Sequence, residues 1–302
     1  MAHSHSHDHH HSHESFNFAF GAAVILNFGF TLFQAAFAFI AGSMSLLADA
    51  AHNFGDVFGL ILAWGANWLL TLPARKRYSY GFKRTTIIAA LSNALILVAT
   101  SALIAYESIQ KLLHISDVNG YIVIVVALIG IIINGSTAML FMKGAHHDLN
   151  IKGAFLHLLG DALISMGVVI AGILISFTHR AWIDPLVGLL IVVIILFGTS
   201  GLLRDSIRLL LDAIPRHIDS HGIENYLKNL PGVSAVHDLH IWGLSTKEVA
   251  LTAHLIMPTA RLTDQDFKTI NAMLKQTFQI DHATLQVETG HPEFPCQQIE
   301  PC

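Results

Sequence analysis

Two histidine–aspartate pairs carry the chemistry of this chain: His52 and Asp56 in LLADAAHNFGD, and His157 and Asp161 in FLHLLGD. Residues four apart share one face of an α-helix, so each pair presents an imidazole nitrogen beside a carboxylate oxygen. Two such helices facing one another would supply four ligands to one tetrahedral divalent metal, zinc first among the candidates. Asp49, three residues before His52, falls near the same face, where it would back the ligands or charge an outer vestibule.

The helices that must position these pairs are membrane helices. Of 302 residues, 53% are hydrophobic and only 13% charged, and the mean hydropathy of +0.56 is too high for an ordinary soluble domain. A spanning helix needs about 20 mostly apolar residues, and six segments qualify: 16–40, 45–70, 85–113, 118–142, 151–178 and 184–203. Both pairs fall near the midplane of their spans. An ionisable side chain at the bilayer centre costs about 2.5–3.5 kcal/mol on insertion scales, so several carboxylates there need a compensating role. Carrying a cation across is the simplest one.

The breaks between spans have local causes. Gly42-Ser43 closes the first turn, Pro73 ends the second helix, and Asp184-Pro185 is expected to cap and open the sixth. Asn93 and Asn134 read as residues that hydrogen-bond between helices, and Glu107 as one that snorkels to the interface. Arg75, Lys76, Arg77, Lys83 and Arg84 crowd the second connection, Lys143 and Lys152 flank the fourth, and Arg204 and Arg208 follow the sixth. Cytoplasmic loops carry the excess of Lys and Arg, so both termini are expected in the cytosol.

A net charge of −4 provides no basic field for nucleic acid, and 20 histidines against 2 cysteines favour imidazole over thiolate chemistry. Cys296 and Cys302 both lie in the last seven residues and read as reduced, outside any disulfide framework. The opening MAHSHSHDHHHSHES has neither the basic nor the apolar region of a cleavable signal peptide. It reads as a native metal-gathering tail, residues 1–15, on the cytoplasmic side, rather than as a purification tag.

After the six-helix transmembrane domain, residues 16–208, the composition becomes that of a small soluble α+β domain over residues 209–290, followed by a Cys-containing tail, 291–302. The pattern predicts helix 219–230, strand 233–243, strand 247–257, helix 263–278 and strand 283–288, an order that suits a ferredoxin-like sheet. In the second strand Val249, Leu251, Ala253, Leu255 and Met257 alternate onto one face, and Thr263 caps the second helix. His237 and His254 fall on neighbouring strands, while His282 and Glu288 share a face of the last one, which suggests a second metal site. His146 and His147, in the fourth connection, could pass metal towards the pore.

Six spans, HxxxD in the second and again in the fifth, a basic second connection and a terminal HDLHIW…AHL…HATLQVE domain resemble the cation diffusion facilitator family. The likeness is to its zinc-transporting branch, which includes bacterial zinc-efflux and vertebrate zinc-transporter proteins, and it covers nearly the whole chain. It implies a homodimer, a multi-pass protein of a bacterial inner or plasma membrane, that exchanges zinc for protons. It further implies transport ligands at His52, Asp56, His157 and Asp161, and cytoplasmic zinc bound by His237, His254 and Glu288. Two features depart from the family pattern. LPARKRYSYGFKR lacks the Asp and His ligands of a loop site, and Cys296 and Cys302 are spaced more widely than the family's CxxC.

The expected function is therefore secondary active export of Zn2+ from the cytosol, with Zn2+ both cargo and regulatory ligand, and without enzymatic activity. Imidazole titrates near neutrality, so metal and proton compete for one lone pair, and that competition couples the two fluxes. An intramembrane zinc hydrolase would need an open coordination position and a nearby general base, which four inward ligands do not leave. A zinc-sensing receptor would use the C-terminal domain as its output.

Overall fold

The computed structural model describes residues 11–142, 149–259, 261–291 and 296; side chains are described from residue 24 onward, apart from 140, 141 and 149–154. Six long helices come first: α1 (His11–Ala41), α2 (Met44–Leu70), α3 (Thr85–Leu113), α4 (Gly120–Met142), α5 (Leu149–Thr178) and α6 (Ile183–Leu210). All six are long and apolar enough to cross a membrane. Then follow α7 (Ser220–Lys228), β1 (Ala235–Gly243), β2 (Val249–Ile256), α8 (Asp264–Phe278) and β3 (His282–Glu288). The chain divides into two compact units, Met1–Ile61 with Asn93–Ser200 and Leu62–Ser92 with Gly201–Cys302.

In the first unit α4 and α5 make the most extensive helix–helix contact. Glycines allow it: a Cβ on Gly172 would sit 2.8 Å from Ile124 Cγ1 and 3.1 Å from the Gly120 carbonyl oxygen. The core is aliphatic, with Leu46, Ala48, Val123, Ala127, Val168 and Val192 all buried. Gly42, at φ +63°, turns the chain between α1 and α2 in a conformation that L side chains avoid. Lys111 Nζ donates to its carbonyl oxygen at 2.7 Å.

Asp184 does not cap its own helix. It lies inside the first turn of α6, and its carboxylate reaches the start of α2, accepting from Ser43 Oγ and Ser45 Oγ at 2.6 Å each and from Met44 N at 2.5 Å. The first amides of α2 are thus satisfied by a residue from another helix. The expected interhelical hydrogen bonds are not made by Asn134 or by Asn93 Oδ1 among the described residues. Asn134 is fully buried with neither side-chain polar atom partnered among the described residues, and Asn93 packs its amide against Gly59.

The second unit contains the predicted helix–strand–strand–helix–strand order. Its sheet runs β1-β2-β3, antiparallel between the first two and parallel between the last two. Leu251, Ala253 and Leu255 of the central strand pack with Ile223, Leu227, Ile270 and Leu274 of the two helices. Because β2 is central, Ala250 and His254 on its other face are buried as well. Thr263 forms a capping box with Asp266, whose carboxyl is held below the usual range by the Thr263 backbone and hydroxyl. The basic second connection belongs to this unit: Lys83 pairs with Glu248, Arg84 Nη2 lies 2.5 Å from Asp212 Oδ1, and Thr86 Oγ1 accepts from Thr246 N at 3.1 Å.

Candidate metal centre

Each His/Asp pair sits one turn apart on its own helix, yet the shortest contacts run between helices. His52 Nε2 is 3.2 Å from Asp161 Oδ1 and His157 Nε2 is 3.3 Å from Asp56 Oδ2, against 3.6 and 3.8 Å within the pairs. The four groups close a ring, with the two imidazoles edge to face and their centroids 6.0 Å apart. Zinc bonds of about 2.0–2.1 Å to nitrogen and oxygen give tetrahedral edges of about 3.3–3.4 Å, so the ring has the size of a zinc coordination sphere. Donor atoms of His52, Asp56 and Asp161 all fall within 4.8 Å of one another, and His157 joins through its two carboxylate contacts. The ring is open on one side: the Asp161 side chain is 3% exposed and that of His157 48%.

Asp49 lies outside this ring. Its complete burial is at odds with a vestibule charge: Oδ2 accepts from Gln34 Nε2 of α1 at 2.6 Å and from Ser165 Oγ of α5 at 2.8 Å. Asn53 Nδ2 in turn donates to Gln34 Oε1 at 3.2 Å. Reading the sequence singled out neither Gln34 nor Ser165; polar residues inside apolar spans were the available signal.

In the C-terminal sheet, register pairs His237 with His254 and Ile256 with Glu288, which brings the first two histidines and the carboxylate to one end. His237 Nε2 is 3.2 Å from Glu288 Oε2, and His254 Nδ1 is 2.9 Å from Glu288 Oε1. Cys296 Sγ lies 3.6 Å from His254 Nδ1, and the four donors cluster within 4.8 Å. Burial pushes the Glu288 carboxyl up, but hydrogen bonds from Gln286, Cys296 and His237 outweigh it and hold the group below its ordinary value.

His282 is not brought to this cluster. Its strand partner is Ala250, at the far end of β3, and its ring packs edge-on against Tyr80 with centroids 5.6 Å apart. Sharing a face with Glu288 is not proximity: six residues of strand span about 20 Å. Asp238, by contrast, was missed. The ladder is irregular between His237 and His240, Asp238 adopts φ +48°, and its Oδ2 reaches to 3.5 Å from His254 Nε2 while Oδ1 lies 2.8 Å from His240 Nε2. His146, His147, Cys302 and the first ten residues of the His-rich tract lie outside the described residues.

Four His and Asp donors gathered among long apolar helices suit passage of a cation better than catalysis, and the class this points to is the multi-pass membrane transporter of metal cations. Comparison with known proteins gives the family. Residues 21–211 match the cation efflux transmembrane domain and residues 215–290 the cation efflux protein cytoplasmic domain, so the chain belongs to the cation efflux family, the cation diffusion facilitators. It is 33% identical to the metal cation efflux system protein CzcD of Cupriavidus metallidurans, over 92% of this chain and 87% of that one. It is also 33% identical to the zinc transporter ZitB of Escherichia coli, over 86% and 83% of the two chains. To the cadmium, cobalt and zinc/H(+)-K(+) antiporter of Bacillus subtilis it is 31% identical, over 88% and 86%. Among solved structures, the metal-bound C-terminal domain of the CzcD transporter from C. metallidurans matches at 35% identity and a TM-score of 0.22, covering 24% of this chain and 99% of that one. These relatives are transporters, and this chain is a cation efflux transporter rather than an enzyme.

Proposed function

We propose that this protein exports Zn2+ from the cytosol in exchange for H+, with His52, Asp56, His157 and Asp161 as the transport site. The observation that carries the reading is the four-membered ring between α2 and α5, whose edges of 3.2 to 3.8 Å match those of a small tetrahedral cation. Asp56 and Asp161 supply the charge that replaces the hydration shell of the ion. Each imidazole Nε2 binds either the metal or a proton, so zinc arriving from the cytosol displaces protons, and protons entering from the other face expel zinc. The names of the relatives, a zinc transporter and a cadmium, cobalt and zinc/H(+)-K(+) antiporter, support the same cargo and exchange.

In this reading residues 16–208 form the pathway, and residues 209–290 sense cytosolic zinc through His237, His254, Glu288 and Cys296 and hold two copies together as a homodimer. The basic connection joined to that domain by Lys83–Glu248 and Arg84–Asp212 supports a shared cytoplasmic side, with both chain termini there and the helices in a bacterial inner membrane.

The test is zinc uptake into proteoliposomes containing only this protein, read by an indicator inside. An acidic lumen should drive uptake and a protonophore should abolish that stimulation. Uptake indifferent to the pH gradient would refute exchange, and absence of zinc uptake would refute the cargo.

A further inference from the structure

Asp49 is a carboxylate without contact with solvent, inside a membrane helix, and outside the ring that would bind the metal. Its position along α2 and that of its partner along α5 are informative together. Asp49 precedes His52 by three residues, and Ser165 follows Asp161 by four, so their 2.8 Å hydrogen bond joins the two ligand helices one turn from a ligand on each. A third helix is tied to the same oxygen through Gln34, at 2.6 Å, and Gln34 is itself fixed by Asn53 of α2. All four side chains are at most 1% exposed. The fourth helix makes room for them: a Cβ on Gly130 of α4 would sit 3.2 Å from Ser165 Oγ and 3.1 Å from the Phe30 ring.

We infer that Asp49 is a positioning residue, which with Gln34 and Ser165 locks α5 against α2 and α1 and thereby sets the spacing, and the metal preference, of the two His/Asp pairs. The inference rests on the transport-site reading above. A carboxylate accepting from two helices at once resists sliding of either along its axis, because no solvent is available to replace the lost bonds. The tolerance of the site is small. Metal–ligand distances hold to within about 0.2 Å, whereas a slide of about 1 Å between helices would stretch edges that now measure 3.2 and 3.3 Å beyond what zinc can bridge. Such a loosened ring suits the larger cadmium ion better. The lock also means that α2 and α5 carry their ligands as one body whenever the transporter changes the face to which it opens.

The experiment measures zinc and cadmium flux against concentration in proteoliposomes, at equal protein density, for Ser165→Ala, Gln34→Leu, Asp49→Asn and the Asp49→Asn/Ser165→Ala double variant. Ser165→Ala should raise the half-saturating zinc concentration about tenfold and move the zinc-to-cadmium preference towards cadmium. The double variant should be shifted by less than the product of its two single variants, since both changes act on the same bond. Parental half-saturation and preference in Ser165→Ala and Gln34→Leu would overturn the inference, as would multiplicative effects in the double variant. Should Asp49→Asn fail to fold, the first two variants decide it alone. His52→Ala run beside them separates the two readings: parental flux there overturns the transport site, while lost flux there with parental preference in the serine and glutamine variants overturns only the lock.

Discussion

Replacing Asp161 by Asn keeps the volume of the side chain and removes one anionic ligand. Asp161 is 3% exposed and its two oxygens lie 3.2 Å from His52 Nε2 and 3.8 Å from His157 Nε2. A unit charge pair at that shorter distance interacts by about 5 kcal/mol at an effective dielectric of about 20. Removing one partner of a buried pair costs about 3–5 kcal/mol. The lower figure already corresponds to about a hundredfold in binding, and a doubly charged ion in place of the imidazolium proton raises it. Initial zinc uptake by Asp161→Asn at subsaturating zinc should therefore fall to about a hundredth of the parent or less. The assay is the initial rate in sealed proteoliposomes, normalised to protein that elutes as the parent does in size-exclusion chromatography. A rate within about threefold of the parent would remove Asp161 from the transport site, and the ring with it.

Three further outcomes follow from geometry. Gly172→Ala places a methyl 2.8 Å from Ile124 Cγ1, so the α4–α5 contact should lose about 1–3 kcal/mol; an unchanged thermal midpoint in detergent would contradict the close approach. Cys296→Ser should weaken cadmium–thiolate absorbance and metal affinity at the cytoplasmic cluster, whereas His282→Ala, packed against Tyr80, should leave both as in the parent. Because Glu288 is held below its ordinary value of 4.5, it stabilises the folded domain above that pH and ceases to as pH falls through the lower folded value. Glu288→Gln should flatten the acid limb of stability against pH, and superimposable acid limbs for variant and parent would exclude this contribution.

The spans were legible because length and apolarity alone define a membrane helix, and α2 and α3 end at Leu70 and Leu113, where the sequence reading ended them. The His/Asp pairs were legible because a spacing of four is a statement about one helix. That the tighter contacts join His52 to Asp161 and His157 to Asp56 was not, since spacing carries no information about which faces meet. Asp184 illustrates the same boundary: Asp-Pro before an apolar run signals a local cap, while its real partners Ser43 and Ser45 are about 140 residues earlier. In the C-terminal domain the element order was readable from alternation and caps. The contact of Asp238 with His254 depends on a strand irregularity, and the exclusion of His282 on distance along a strand, which periodicity does not measure.

The reach of Asp184 across to α2 has a consequence for how the protein is made. Ribosomes add about 5–20 residues per second, so the first turn of α2 is complete roughly 7–28 s before the carboxylate that accepts from Met44 N has been synthesised. During that interval its leading amides depend on water, lipid headgroups or the insertion machinery, because bare donors are not tolerated in hydrocarbon. The amino end of the helix bearing His52 and Asp56 therefore reaches its final bonding only when the last span arrives. Chains truncated before α6 would lack the acceptor of Met44 N and Ser45 N, so the amino end of α2 is finished by the bundle as a whole and not by insertion of its own span.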